Sequence, residues 1–92
     1  MMELRFTTKF KRDYKRIKRQ GKDIAKLESA LEVLVRGEAL PEVMRDHALG
    51  GTYRGHRECH IEPDWLLIYR IEDDVLVLTL ARTGTHSDLF GK

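Results

Sequence analysis

The hydrophobic period of this chain changes once, near residue 50, and that change limits the folds open to it. Before it, apolar side chains recur at helical spacing: Phe10, Tyr14 and Ile17, then Ile24, Leu27, Leu31 and Leu34. After it the period falls to two. Across Tyr53 to Ile61, one face receives Arg54, His56, Glu58 and His60, and the other Tyr53, Gly55, Arg57, Cys59 and Ile61. Two amphipathic helices followed by consecutive strands segregate to one side of a mainly antiparallel sheet, so the expected class is α+β.

The punctuation agrees with this division. Glu3 to Phe6 is a strand candidate, and Thr7 or Thr8 offers an N-cap to the first helix, which ends at Gly21. Asp23 caps the second helix, which stops at Gly37. Glu38 to Thr52 reads as a loop marked by Pro41 and Gly50-Gly51. Glu62-Pro63-Asp64-Trp65 suits a type I turn, Trp65 to Ile71 a strand, Glu72 to Asp74 a turn and Val75 to Arg82 the last strand. Thr85-x-x-Asp88 is a capping-box pattern for one helical turn carrying His86 and Phe90. The order is β-α-α-β-β-β with a short helical tail, expected as one domain over residues 1–92. The last two strands are apolar on both faces. The helix hairpin covers one, which leaves the other to a substrate groove or a partner chain.

Charge is distributed unevenly. Between Arg5 and Lys22 nine lysines and arginines, Lys11, Lys15 and Lys18 among them, face one acid, Asp13. Such a stripe is either a solvated helix face or the footprint of a phosphate-backbone binder. The single Cys59 cannot form an intrachain disulfide, and no apolar run reaches signal-peptide or membrane-spanning length. The expectation is a cytoplasmic protein with no membrane partner.

The remaining polar residues suit phosphodiester chemistry. RNA is cleaved by its own 2′-hydroxyl when a base removes that proton, a cation stabilises the phosphorane and an acid protonates the leaving 5′-oxygen. Histidine serves both proton transfers and arginine the charge. His60 and Asp64 flank a tight turn. Arg82 and His86 lie at the end of the last strand, and His47 lies in the loop that feeds the first hairpin strand. Trp65 and Phe90 offer flat surfaces for unpaired bases, although Trp65 at a strand start equally suits the core. His56 and His60 would share a metal ion only on a helix; on a strand they stand about 13 Å apart at roughly 3.3 Å per residue. No metal or cofactor is therefore expected, and His56 reads as an ordinary strand-face residue.

Three blocks carry a family resemblance: Arg45-Asp46-His47-Ala48-Leu49, Arg57-Glu58-Cys59-His60-Ile61-Glu62-Pro63-Asp64-Trp65-Leu66-Leu67-Ile68-Tyr69, and Arg82-Thr83-Gly84-Thr85-His86-Ser87-Asp88-Leu89-Phe90. Together and in this order they resemble the YafQ family of bacterial toxins within the RelE/ParE superfamily. The match is close in the C-terminal half and rests on length and helix pattern in the N-terminal half. The resemblance implies an endoribonuclease that enters the ribosomal A site, against 16S rRNA, and cuts mRNA there. It implies a RelB/DinJ-type antitoxin, with operator DNA bound only through the antitoxin complex. By position, His47, His60, Asp64 and His86 match the family's acid–base residues, with His86 the proton donor. Arg82 matches the phosphate-stabilising arginine, and Trp65 and Phe90 the substrate-contacting aromatics. Glu58 stands where the family often has Asp. A helix N-terminus disfavours a protonated imidazole, so the donor role of His86 calls for an anion nearby, expected to be the bound phosphate. Two other readings share parts of this sequence: a ParE-like gyrase poison, which needs no histidine cluster, and a non-catalytic RNA-binding module built on the basic helix.

Overall fold

The computed structural model describes residues 2–72 and 77–91. β1 (Glu3–Phe6) leads into α1 (Thr8–Arg19) and α2 (Ile24–Val35), followed by β2 (His47–Ala48), β3 (Arg57–Glu62), β4 (Trp65–Glu72), β5 (Val77–Gly84) and α3 (His86–Phe90). The strands form one sheet in the order β1-β5-β4-β3-β2; β1 runs parallel to β5 and the other pairs are antiparallel. This is the expected α+β arrangement, three helices against a five-stranded mixed sheet.

Local chemistry sets the helix ends. Thr7 Oγ1 accepts from Phe10 N at 3.0 Å, and Asp23 Oδ1 from Ala25 N at 3.1 Å. Gly21 and Gly37 close the two helices at φ +77° and +75°. Phe10 and Ile17 of α1 and Leu27 and Leu34 of α2 are buried against Cys59, Trp65, Leu67, Tyr69, Leu78 and Leu80 of the sheet. Each large side chain removed from water contributes about 1.5–3 kcal/mol.

α1 also completes the edge of the sheet. β1 pairs with β5 only as far as Phe6 and Leu80, while β5 continues to Gly84. Beyond that point the outward-facing groups of β5 are met by the N-cap and side chains along α1. Thr7 N donates to Leu80 O at 3.1 Å and Thr7 Oγ1 to Ala81 O at 2.7 Å. Asp13 Oδ2 accepts from Thr83 N at 3.1 Å, and Arg16 Nη2 donates to Thr83 O at 3.3 Å. Side chains of one helix thus stand in for a missing strand.

Several expectations need correction. β3 starts at Arg57 rather than Tyr53, because Gly51–Tyr53 form a 3₁₀ turn and Gly55 takes φ +87°. The segment expected to be all loop contains β2, too short to leave a periodic signal, which pairs His47 with Glu58. The turn at Asp73-Asp74 and the strand start at Val75 lie outside the described residues. The second face of β4 is not left open for a partner: Leu66 and Ile68, turned away from the helix-side cluster, are fully buried by the chain itself. Exposed large apolar side chains lie elsewhere, at Phe6, Val43 and Phe90.

Candidate active site

Three histidines from distant parts of the chain form a row. His47 arrives on β2, His60 near the end of β3 and His86 at the first position of α3. Their ring centroids are 6.4 Å apart between His47 and His60, and 5.8 Å between His60 and His86. The β3–β4 turn holds Asp64 beside the last of them.

Each ring is tethered through the same atom. His47 Nδ1 lies 2.7 Å from Arg45 O, and His60 Nδ1 3.2 Å from Pro63 O. A carbonyl only accepts, so both nitrogens carry a proton. His86 Nδ1 lies 2.7 Å from Asp64 Oδ1, which also accepts from His86 N at 3.0 Å. His86's backbone N–H, and then its ring, hold the Asp64 carboxyl below its ordinary value of 3.8, so it stays ionised at neutral pH and fixes the ring in the same way. The common result is three imidazoles held through Nδ1, with Nε2 on the opposite side of each ring. The anion expected beside His86 is supplied by the protein, because Asp64 sits against the first turn of α3.

The supports of this row were only partly visible in the sequence. Asp46 Oδ1 accepts from Tyr69 Oη at 2.7 Å and from Arg57 Nε at 3.2 Å, which anchors the segment that presents His47. Glu58, almost fully buried, places Oε1 3.6 Å from His60 Nε2. It is the one carboxylate beside that nitrogen among the described residues. His56 stays off this row: its ring meets Tyr53 edge-on at 5.7 Å, and its Nδ1 is buried without a partner among the described residues.

Arg82 is paired with a buried acid. Its Nε and Nη2 donate to the two oxygens of Asp13, at 2.6 and 3.1 Å. Asp13 foremost, with the Tyr53 hydroxyl in support, raises the guanidinium pKa further. The Nη1 end of the fork stays clear of this pairing. In the sequence Asp13 stands out only as the lone acid in a basic segment. Its position three residues after Phe10 and four before Ile17, on the buried stripe, was the available signal.

The aromatic expectations divide. Trp65 has 0% exposure and donates its Nε1–H to Thr83 Oγ1 at 2.9 Å, so it offers no face to a base and is a core residue. Phe90 is 40% exposed and meets Tyr53 edge-on at 6.3 Å, leaving ring surface free for stacking. Lys11, Lys15 and Lys18 are all exposed. Lys11 and Lys15 rim an apolar cleft floored by Phe6, Phe10, Tyr14 and Leu31, and Lys18 Nζ lies 5.6 Å from the centre of the Tyr14 ring.

Among the described residues no three His, Cys, Asp or Glu side chains are placed to hold a metal ion together, and no helix is long and apolar enough to cross a membrane. Residues 2–91 match the family model described as bacterial toxin of type II toxin-antitoxin system, YafQ. The chain is 38% identical over 90 residues to the mRNA interferase toxin YafQ of Escherichia coli K12, covering 97% of this chain and 96% of that protein. It superposes on the toxin in the crystal structure of the E. coli DinJ-YafQ complex with TM-score 0.90 at 37% identity, over 99% of this chain and 100% of that one. A metal-bound toxin from Helicobacter pylori aligns with TM-score 0.92 at 36% identity, over 98% of this chain and 100% of that one. Sequence match along nearly the whole chain and a shared fold agree, and the chain belongs to the YafQ family of bacterial toxins of type II toxin–antitoxin systems.

Proposed function

We propose that this chain is an mRNA interferase: an endoribonuclease that cuts mRNA in the ribosomal A site by metal-independent acid–base chemistry. The observation that carries the reading is the row of His47, His60 and His86, each tethered through Nδ1, with the Nε2 of His60 facing Glu58. His60 Nε2 takes the 2′-hydroxyl proton, and the imidazolium so formed faces the Glu58 carboxylate. The 2′-oxygen bonds to phosphorus as the bond from phosphorus to the 5′-oxygen breaks. His86 gives its Nε2 proton to that departing oxygen, while Asp64 keeps the other nitrogen protonated. His47 flanks His60 and orients the phosphate. Arg82, steadied by Asp13, turns its remaining N–H groups toward the developing charge. Phe90 stacks on a base, and Lys11, Lys15 and Lys18 meet the phosphates of 16S rRNA.

The name of the E. coli relative supports RNA as the substrate, and its complex with DinJ supports a DinJ-type antitoxin as partner, operator DNA being reached only through that complex. A cytoplasmic location follows from a ribosomal substrate. The test is cleavage of ribosome-bound mRNA by the wild type and by His86→Ala. The wild type is expected to leave a 2′,3′-cyclic phosphate, or its 3′-phosphate, after rigorous metal removal, and folded His86→Ala to be inactive. A 5′-phosphate product would indicate metal-activated water. Cleavage by His86→Ala at the wild-type rate would remove that residue from the mechanism.

A further inference from the structure

The helix that carries His86 is seated shallowly, with Asp88 and Leu89 half-buried and His86, Ser87 and Phe90 exposed. α3 has five residues, none of them buried, and a helix so short does not persist alone in water. Its capping box, Asp88 N to Thr85 Oγ1 at 3.1 Å and Thr85 N to Asp88 Oδ2 at 3.3 Å, closes the turn on itself without attaching it to the domain. The Asp64–His86 pair is exposed, and the contact of Phe90 with Tyr53 is edge-on at one point.

Arg16 supplies an attachment. From α1 its Nη2 donates to Asp13 Oδ1 at 3.0 Å and to Thr83 O at 3.3 Å, which fixes the guanidinium against β5. Its Nε, which makes no hydrogen bond among the described residues, then lies 3.4 Å from Asp88 Oδ2 as an ion-pair contact; that oxygen accepts from Thr85 N. Gly84, between strand and helix, lets the two meet: a β-carbon there would lie 2.7 Å from Arg16 Nη2, and its φ is +151°. The φ of Gly84 alone favours glycine there, and a β-carbon would also crowd Asp88 Cβ at 3.2 Å. With side-chain exposures of 28% and 23%, the Arg16–Asp88 pair is half-sheltered and less screened than a fully exposed one.

We propose that Arg16 is a positioning residue for His86, holding α3 through Asp88 so that the imidazole stays on Asp64 and over the scissile phosphate. The proposal rests on the RNA-cleaving reading for its consequence in catalysis, but its structural half is measurable without RNA. A displacement of about 1 Å at a catalytic group can cost on the order of 100-fold in rate.

The test compares Arg16→Ala, Asp88→Asn and their double variant with Arg36→Ala, an exposed control at the end of α2 that removes the same charge. Two quantities are measured: cleavage of ribosome-bound mRNA, as kcat and KM separately, and the ring-nitrogen NMR signals of His86 in the free protein. Arg16→Ala is expected to lower kcat by roughly 10- to 100-fold with KM within about twofold, and to weaken the His86 Nδ1–H signal given to Asp64. Asp88→Asn, which keeps a capping oxygen, should do the same in part, and the double variant should add little to Arg16→Ala. Arg16→Lys should recover only part of the loss, because an ammonium cannot span Asp13, Thr83 and Asp88 together. Should Arg16→Ala fail to fold, Asp88→Asn carries the comparison alone. A His86 signal unchanged in both variants, or a kcat matching that of Arg36→Ala, overturns the proposal. If the wild type itself does not cleave RNA, the functional reading fails and the His86 signals still decide the positioning role.

Discussion

At the scale of single residues, the proposed chemistry depends on which ring nitrogen is held. Asp64 fixes Nδ1 of His86, so Asp64→Asn, whose amide can present either donor or acceptor, is expected to slow cleavage at least about tenfold without unfolding the protein. Because the Asp64 carboxyl is held below 3.8, the pair should survive as pH falls to that value and break only below it, with its small stabilisation present above and lost beneath. The Asp64 carboxyl carbon shift and the His86 ring signals, followed together from about pH 7 to about pH 2, report this directly. Cys59 gives a simpler prediction. Burial pushes its thiol up to about 12, so iodoacetamide at about pH 8 should leave it unmodified in the folded protein and label it once urea unfolds the chain. The meeting of the three histidines and Asp64 is legible because hairpin ends and capping patterns gather residues predictably. Trp65 was misplaced because an indole at a strand start has the same sequence signature whether its strand turns it inward or outward; only Thr83 and the helix layer decide.

At the scale of elements, the join between α1 and β5 carries the most consequence. Asp13 is 2% exposed and satisfies a backbone N–H and two arginines, so Asp13→Ala leaves Arg82 and Thr83 N without their acceptor. Removing one member of a buried ion pair costs about 3 kcal/mol or more, and the midpoint of urea unfolding should fall accordingly. Asp13→Asn should fall less, since one acceptor oxygen remains. The helix boundaries were readable to within a residue or two because capping side chains and glycines announce them. β2 and the 3₁₀ turns were not, since such short pieces are set by tertiary contacts such as Tyr69 and Arg57 on Asp46 rather than by local pattern.

At the scale of the whole molecule, the histidine row and the basic helix are assigned different work. The row runs across β2, β3 and the start of α3, while Lys11 and Lys15 border the apolar cleft that includes Phe6 between the two long helices. Neutralising Lys11, Lys15 and Lys18 together is therefore expected to weaken ribosome association, with kcat at saturation unchanged. The log–log salt slope should flatten by roughly 0.7–0.9 for each phosphate no longer neutralised. Binding measured across a salt series checks this, and an unaltered slope would return the face to plain solvation. The substitution of a helix for a strand along β5 has a further consequence, for chain length rather than composition. The short junction at Thr7 sets the rotational phase of everything after it. One residue inserted there would turn α1 by about 100°, and Asp13 and Arg16 would both swing away from Thr83. Apart from Thr7, Phe10, Asp13 and Arg16, the segment from Phe6 to Arg16 should therefore accept changes of residue far more readily than any insertion or deletion.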